Sequence, residues 1–135
     1  MTYQAHHDDS FDLIPGDVFF SDHVTRYWWA QSLAEGKSVL DCACGHGYGS
    51  YILSHKAKEV LGIDLNLQSL EKAKKVFSGN SNLTFQAHDV TQTQELKKTF
   101  DLITAFEVIE HLPPYQTEIF LSNLGSTQGP FFIDL

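Results

Sequence analysis

The chain has 135 residues, 42% of them hydrophobic, with ten Phe, five Tyr and two Trp, which suits one domain with a real core and not two. Its formal net charge of −8 disfavours nucleic acid as a partner, because an acidic surface repels phosphate backbones. No apolar run approaches the ~20 residues of a membrane span, and the opening "MTYQAHHDDSFDL" has neither the basic nor the apolar region of a signal peptide, so no membrane partner is expected. Cys42 and Cys44, with one residue between them, are poorly placed to bond to each other. Reduced thiols in a cytoplasmic protein are the expectation.

In chain order, residues 1–20 read as irregular, with Pro15–Gly16 a turn. His6–His7 beside Asp8–Asp9 reads as a polar terminus before a metal site. Residues 21–34 predict a helix, with Ser21 as cap, Asp22 in the first turn, and Val24, Tyr27, Trp28 and Ala34 near one face. Gly36 should stop it. Trp28 and Trp29 cannot share a helix face; core packing is expected of both, with a lid or interface the alternative for one.

A strand–helix rhythm follows. "SVLDC", "EVLGIDL", "LTFQAHD", "FDLITAFE" and "PFFIDL" predict five strands. Between them, "YGSYILSHKAK", "NLQSLEKAKKVFSGN", "TQTQELKK" and "PYQTEIFLSNLG" predict helices or a helical turn. Asn66 can cap the second of these, with Leu67, Leu70, Ala73 and Phe77 as its buried stripe. Alternation of this kind gives a Rossmann-like α/β domain, a three-layer sandwich with a parallel sheet and right-handed crossovers. Such sheets bind ligands at the carboxyl ends of their strands. Asp41, Asp64, Asp89 and Glu107 stand at four successive strand ends.

The first turn, "VLDCACGHGYGS", carries Gly45, Gly47 and Gly49 behind Asp41. Glycines there allow a sharp turn and close approach of a ligand to the backbone. The dinucleotide fingerprint needs glycine where Ser50 stands, and a carboxylate at Asp41 is awkward for a pyrophosphate. It suits a ligand with an ammonium and a sulfonium. Cys42, Cys44 and His46 lack the spacing of a zinc site, so no metal is expected and the thiols read as packing residues.

Together "VLDCACGHGYGS", "LGIDLN", "AHDV" and "FDLITAFEVIEHL" resemble, in order and spacing over residues 37–112, the four motifs of class I S-adenosylmethionine-dependent methyltransferases. The style is that of the group containing ubiquinone- and menaquinone-biosynthesis methyltransferases. The resemblance implies S-adenosyl-L-methionine as cofactor, S-adenosyl-L-homocysteine as product, a small-molecule methyl acceptor and a sheet order of 3-2-1-4-5. It implies that Ala43, Gly45 and Gly47 contact the methionine part through backbone groups. Ala43 stands where the family usually has glycine. Asp41 would hold the loop and reach the amino group, directly or through water, and Asp64 would accept both ribose hydroxyls. Leu65 would pack on the adenine, Asp89 would accept from its amino group, and Val90 would lie beside the ring.

Glu107 would end the fourth strand next to the methionine part and the substrate. In isolation Asp64 or Asp89 reads better as a helix cap or turn acid; the matched register of the motifs reverses this to cofactor contact. His111 is the catalytic candidate with Glu107, since imidazole can take a proton from an acceptor; ordering of the loop is its other reading. In similar methyltransferases a helix before the first motif closes over the cofactor. Arg26 would then pair with the methionine carboxylate, and His23 or Tyr27 would line the substrate side. Residues 1–36 thus read as an N-terminal segment with a lid helix, and 37–135 as the cofactor-binding domain.

The resemblance also implies two strands beyond "FFIDL", so strands six and seven are expected to be absent. That leaves an edge that a homodimer or a longer chain would cover. A non-catalytic S-adenosylmethionine-binding module, or a fragment needing a partner chain, is the alternative to an enzyme. An NAD-binding domain is the third reading, disfavoured by Asp41 and Ser50.

Overall fold

The structure, a computed structural model, describes residues 18–125 and 131–134, with side chains described from 24 to 124. The His6–His7 pair, the Pro15–Gly16 turn and the side chains of Ser21, Asp22 and His23 lie outside the described ones. Five strands form one parallel sheet: β1 (Ser38–Cys42), β2 (Glu59–Asp64), β3 (Leu83–Ala87), β4 (Leu102–Phe106) and β5 (Phe131–Asp134). Their order is β3-β2-β1-β4-β5, as the family resemblance implies, and all pairs are parallel, as the strand–helix alternation predicts. The helices are α1 (Val18–Gln31), α2 (Tyr48–Ser54), α3 (Leu67–Val76) and α4 (Pro114–Gly125). Short 3-10 segments at Val90–Leu96 and Ile109–His111 follow β3 and β4. No described helix is long and apolar enough to cross a membrane.

The period-two alternation of strand side chains assigns the two faces. Val39, Val60, Leu102 and Phe106 join one core with Val24, Tyr27 and Ala30 of α1, Ile52 and Leu53 of α2, and Ala73 of α3. Leu40, Cys42, Ile63, Ile103 and Ala105 point the other way, onto Phe120 and Leu124 of α4. Asn66 caps α3 by accepting from the Ser69 amide at 3.1 Å, while Lys74 and Lys75 sit in the last turn, where the helix dipole favours cations. Helix α2 has only seven residues, and other elements take its last carbonyls. Gln31 of α1 donates to the Ile52 carbonyl at 2.6 Å, and Asn82 donates to Ser54 and Ala57.

Three expectations are corrected. Helix α1 starts at Val18 and ends at Gln31, so Ser21 lies inside it rather than at its cap, and the chain turns well before Gly36. Trp28 and Trp29 are 52% and 54% exposed rather than core. The inward face is set by Val24, Tyr27, Ala30 and Gln31, and at ~100° per residue the two indoles fall outside it. Leu67 is also exposed, because it opens α3 beyond the neighbours that cover Leu70, Ala73 and Phe77.

Helices α1 and α2 approach closely at a glycine. A Cβ on Gly49 would lie 2.1 Å from the Tyr27 ring. Tyr27 is itself fixed edge-on against Phe106 at 5.0 Å. Gly49→Ala should therefore destabilise the fold by about 2 kcal/mol through overpacking, read as a lower urea midpoint with unchanged slope. A native-like midpoint would show that α1 is free to shift.

Candidate functional site

Parallel strands end in register, so the residues that follow them share one edge. Asp41 is the penultimate residue of β1 and has no exposed surface. Its carboxylate accepts from Ser50 Oγ of α2 at 2.7 Å, from Thr104 Oγ1 at 2.8 Å and from the Tyr27 hydroxyl at 3.0 Å. Thr104 is the register partner of Asp41 across β1 and β4. On the other side Asp41 faces Gly62, where a Cβ would come within 2.8 Å of the Ser50 hydroxyl. Asp41 thus holds the turn from within. Its carboxylate is turned to these hydroxyls and not into the cleft described below. Tyr27, expected on the substrate side, is 2% exposed and points its hydroxyl at Asp41.

The chain leaves β1 through Ala43 at φ 57°, then Gly45 at φ 55° and Gly47 at φ 89°. Left-handed backbone explains why glycine suits the first of these positions; the alanine methyl there stores roughly 1 kcal/mol of strain. Glu107, just after β4, is also left-handed at φ 58°. At Gly47 a Cβ would lie 2.7 Å from Phe85 and 2.9 Å from Ala73, so the loop sits hard against β3 and α3. The buried Cys42 and Cys44 thiols are pushed above the ordinary thiol range, first by burial and then by the Asp41 charge, and remain protonated packing groups.

Asp64 closes β2 and is 2% exposed. Its two oxygens accept from the Gly45 and Asn66 amides, each at 2.8 Å. One side chain thereby ties the glycine turn to the start of α3. Burial raises its pKa; the Asn66, Gly45 and Leu65 amides and nearby His46 pull it back, and burial wins.

A shallow cleft, open to solvent, lies at these strand ends. Ala43, Asp64, Leu65, Val90 and His111 line it, so the structure brings these five expected residues together. His88, Val108 and Leu112 line it as well and were not singled out from the sequence. Their neighbours Asp89, Glu107 and His111 carried the motif signal, and nothing local distinguishes which of two adjacent residues turns inward. Asp89 does not line the cleft; its Oδ1 accepts from the Thr91 amide at 2.8 Å and hydroxyl at 2.7 Å. Arg26 and Glu107 meet each other, Nη1 to Oε1 at 3.0 Å, both partly buried. His111 Nε2 lies 3.9 Å from Glu110 Oε1.

Because the folded form keeps the Asp64 proton to higher pH than the unfolded chain, it binds more protons in the interval between the two values. Stability therefore falls as pH rises from the ordinary carboxyl value through the raised one, and the loss is complete above it. Asp64→Asn removes this titration. Its stability relative to the native chain should climb across that acidic interval and then level, as followed by urea unfolding from pH 4 to 7 without ligand. A difference constant with pH would contradict the raised value.

Residues 39–127 match the family model described as "Methyltransferase domain". The ubiquinone biosynthesis O-methyltransferase of Coxiella burnetii is 32% identical over 95 residues, covering 70% of this chain and 41% of that protein. The mitochondrial ubiquinone biosynthesis O-methyltransferase of Schizosaccharomyces pombe is 30% identical over 94 residues, covering 67% and 34%. The chain thus spans less than half the length of these relatives. Among solved structures, the N-methyltransferase NodS of Bradyrhizobium japonicum in complex with S-adenosyl-L-homocysteine superposes with a TM-score of 0.80 at 19% identity, over 93% of this chain and 66% of that one. The (4+2)-cyclase SpnF superposes at 0.71 with 17% identity, over 85% and 44%, so the shared fold does not by itself name a reaction. What the sequence match adds to the strand-end acids and the glycine turn is the family: the chain belongs to the methyltransferase domain family.

Proposed function

We propose that this chain binds S-adenosyl-L-methionine and serves methyl transfer to a small molecule. The observation that carries the reading is the cleft, where residues following four neighbouring strands meet around one space with Asp64 on its wall. The residues fit the cofactor. The Asp64 carboxylate offers about four lone-pair sites to the Gly45, Asn66 and Leu65 amides, so it can still accept from the ribose without breaking the turn. Leu65 and Val90 offer apolar contact to the adenine. The cofactor's amino-acid end carries a carboxylate and an ammonium, and Arg26 with Glu107 offers the opposite charges. Each would exchange its present partner for the ligand's matching group. Gly45 and Gly47 bring backbone close to that end.

When bound, the sulfonium supplies an electrophilic methyl group and leaves as the neutral thioether, S-adenosyl-L-homocysteine. The chain's part is to orient an acceptor in line with that methyl and keep water out. His111 lines the cleft and would take the acceptor's proton at a ring nitrogen, with Glu107 beside the methionine end. The free thiols of Cys42 and Cys44 suit a reducing compartment, and we place the protein in the cytoplasm.

Titration calorimetry tests the cofactor. S-adenosyl-L-methionine and S-adenosyl-L-homocysteine should bind and NAD should not; binding of NAD alone would overturn the reading. Asp64→Ala should weaken binding by at least about 1 kcal/mol, the scale of a lost charged hydrogen bond. Transfer of a labelled methyl to a panel of small oxygen, nitrogen, carbon and sulfur acceptors then separates the readings. Turnover on one of them is expected of an enzyme; tight binding with no transfer to any would favour a non-catalytic module.

A further inference from the structure

We propose that Tyr27 is a positioning residue for the amino-acid end of the cofactor: it fixes helix α1 so that Arg26 stands at the end of β4, and the chain thereby distinguishes a ligand that carries that end from one that lacks it. The inference rests on the S-adenosylmethionine reading of the cleft and adds to it the residue that sets the hold on one part of the ligand.

Two consecutive residues of α1 grip two consecutive residues at the end of β4. The Tyr27 ring stands edge-on to Phe106, the last residue of the strand, with centroids 5.0 Å apart. Arg26 Nη1 lies 3.0 Å from Oε1 of Glu107, the next residue. Glu107 has left-handed backbone at φ 58°, so the chain turns sharply at this point. The Tyr27 hydroxyl adds the neighbouring strand, donating to Asp41 of β1 at 3.0 Å. One side chain thus fixes α1 against two strand ends at once.

The ring has no room to swing. Tyr27 is buried, and on the side of α2 a Cβ on Gly49 would fall 2.1 Å from it. One turn further along α1, Gln31 donates to the Ile52 carbonyl and holds the helix to α2. Neighbouring residues of a helix stand ~100° apart around its axis, so with Tyr27 locked inward the direction of Arg26 follows. On a helix free to turn, the same long side chain would meet a ligand carboxylate less preorganised, and ordering it would cost binding energy.

The effect is confined to one end of the ligand. Asp64, Leu65 and Val90, which would meet the nucleoside, come from the ends of β2 and β3, and no described residue lining the cleft belongs to α1. Loosening α1 therefore weakens the hold on the amino-acid end and leaves the hold on the nucleoside in place.

Calorimetry on the full chain with S-adenosyl-L-homocysteine and 5′-methylthioadenosine, the same thioether nucleoside without the amino-acid end, tests this. The native chain should prefer S-adenosyl-L-homocysteine by about thirtyfold or more. Tyr27→Phe keeps the ring on Phe106 and loses the hydroxyl, and should cut that preference by about fivefold or more with the methylthioadenosine affinity near native. Phe106→Leu, which takes the edge contact from the same ring, is the second variant should the first unfold, with the same narrowing expected. Thr104→Val removes a donor to Asp41 that lies outside α1, and should leave the preference intact while lowering the melting temperature. In an Arg26→Gln chain, Tyr27→Phe should narrow the preference no further, because it acts through the guanidinium. A preference unchanged in the variant that folds overturns the proposal. So does an equal loss of affinity for both ligands in that variant, a narrowing as large in Thr104→Val, or a full second narrowing in the Arg26→Gln chain. Equal binding of both ligands by the native chain also overturns it and leaves the cofactor reading standing. Binding of neither ligand by the native chain fails the cofactor reading and this proposal with it.

Discussion

A carboxylate with no exposed surface sits where β1 ends, and the arrangement of the site depends on how it is satisfied. Burying a charge is costly unless its lone pairs are filled. Asp41 fills them with hydroxyls from three other elements: Tyr27 of α1, Ser50 of α2 and Thr104 of β4. No one of these elements can move off without leaving buried acceptors short of a donor. The surroundings are trimmed to permit the network. Gly49 leaves room for the Tyr27 ring, and Gly62 leaves room for the Ser50 hydroxyl.

From that anchor the chain is forced into an unusual path. Ala43, Gly45 and Gly47 turn through left-handed backbone, and Glu107 does the same after β4. Strain of this kind persists only where the surroundings over-determine it. Here the Asp41 network holds one side of the glycine turn, and Asp64, gripping the Gly45 amide, holds the other. Consecutive residues of α1 then reach two strand ends: Arg26 to Glu107 after β4, and Tyr27 to Asp41 at β1. Helix α1 is thereby part of the site's frame as well as of the core. Burial raises the pKa of Asp64, so its ionised form is held at a cost to stability.

Much of the architecture was legible before any coordinates. The strands at 38–42 and 59–64, the Asn66 cap and helix α4 follow from apolar runs, caps and proline and glycine punctuation, all of which are local. The errors are also physical. Trp28 and Leu67 satisfied a helical period, but a period gives the direction of a face and not whether anything lies opposite it. Helix α1 includes Val18–Phe20, ahead of the expected cap at Ser21.

The site divides the same way. Strand-end acids behind a glycine turn were enough to select the family, because spacing along the chain records which residues leave the sheet at its carboxyl edge. Ser50, which from the sequence only spoke against a dinucleotide, is in the fold a donor to Asp41. Asp89 turned to Thr91 while His88 took the cleft. The sequence determined the strands and helices, the edge that carries the site and the residue types gathered there, since these follow from local periodicity and a parallel, right-handed topology, while the strand order came from the motifs' resemblance to a family. Only the tertiary structure decided which hydroxyls satisfy Asp41, that Arg26 and Glu107 hold each other, and which of two neighbouring residues lines the cleft. Those outcomes are set by partners far apart in the chain competing for the same lone pairs and the same space.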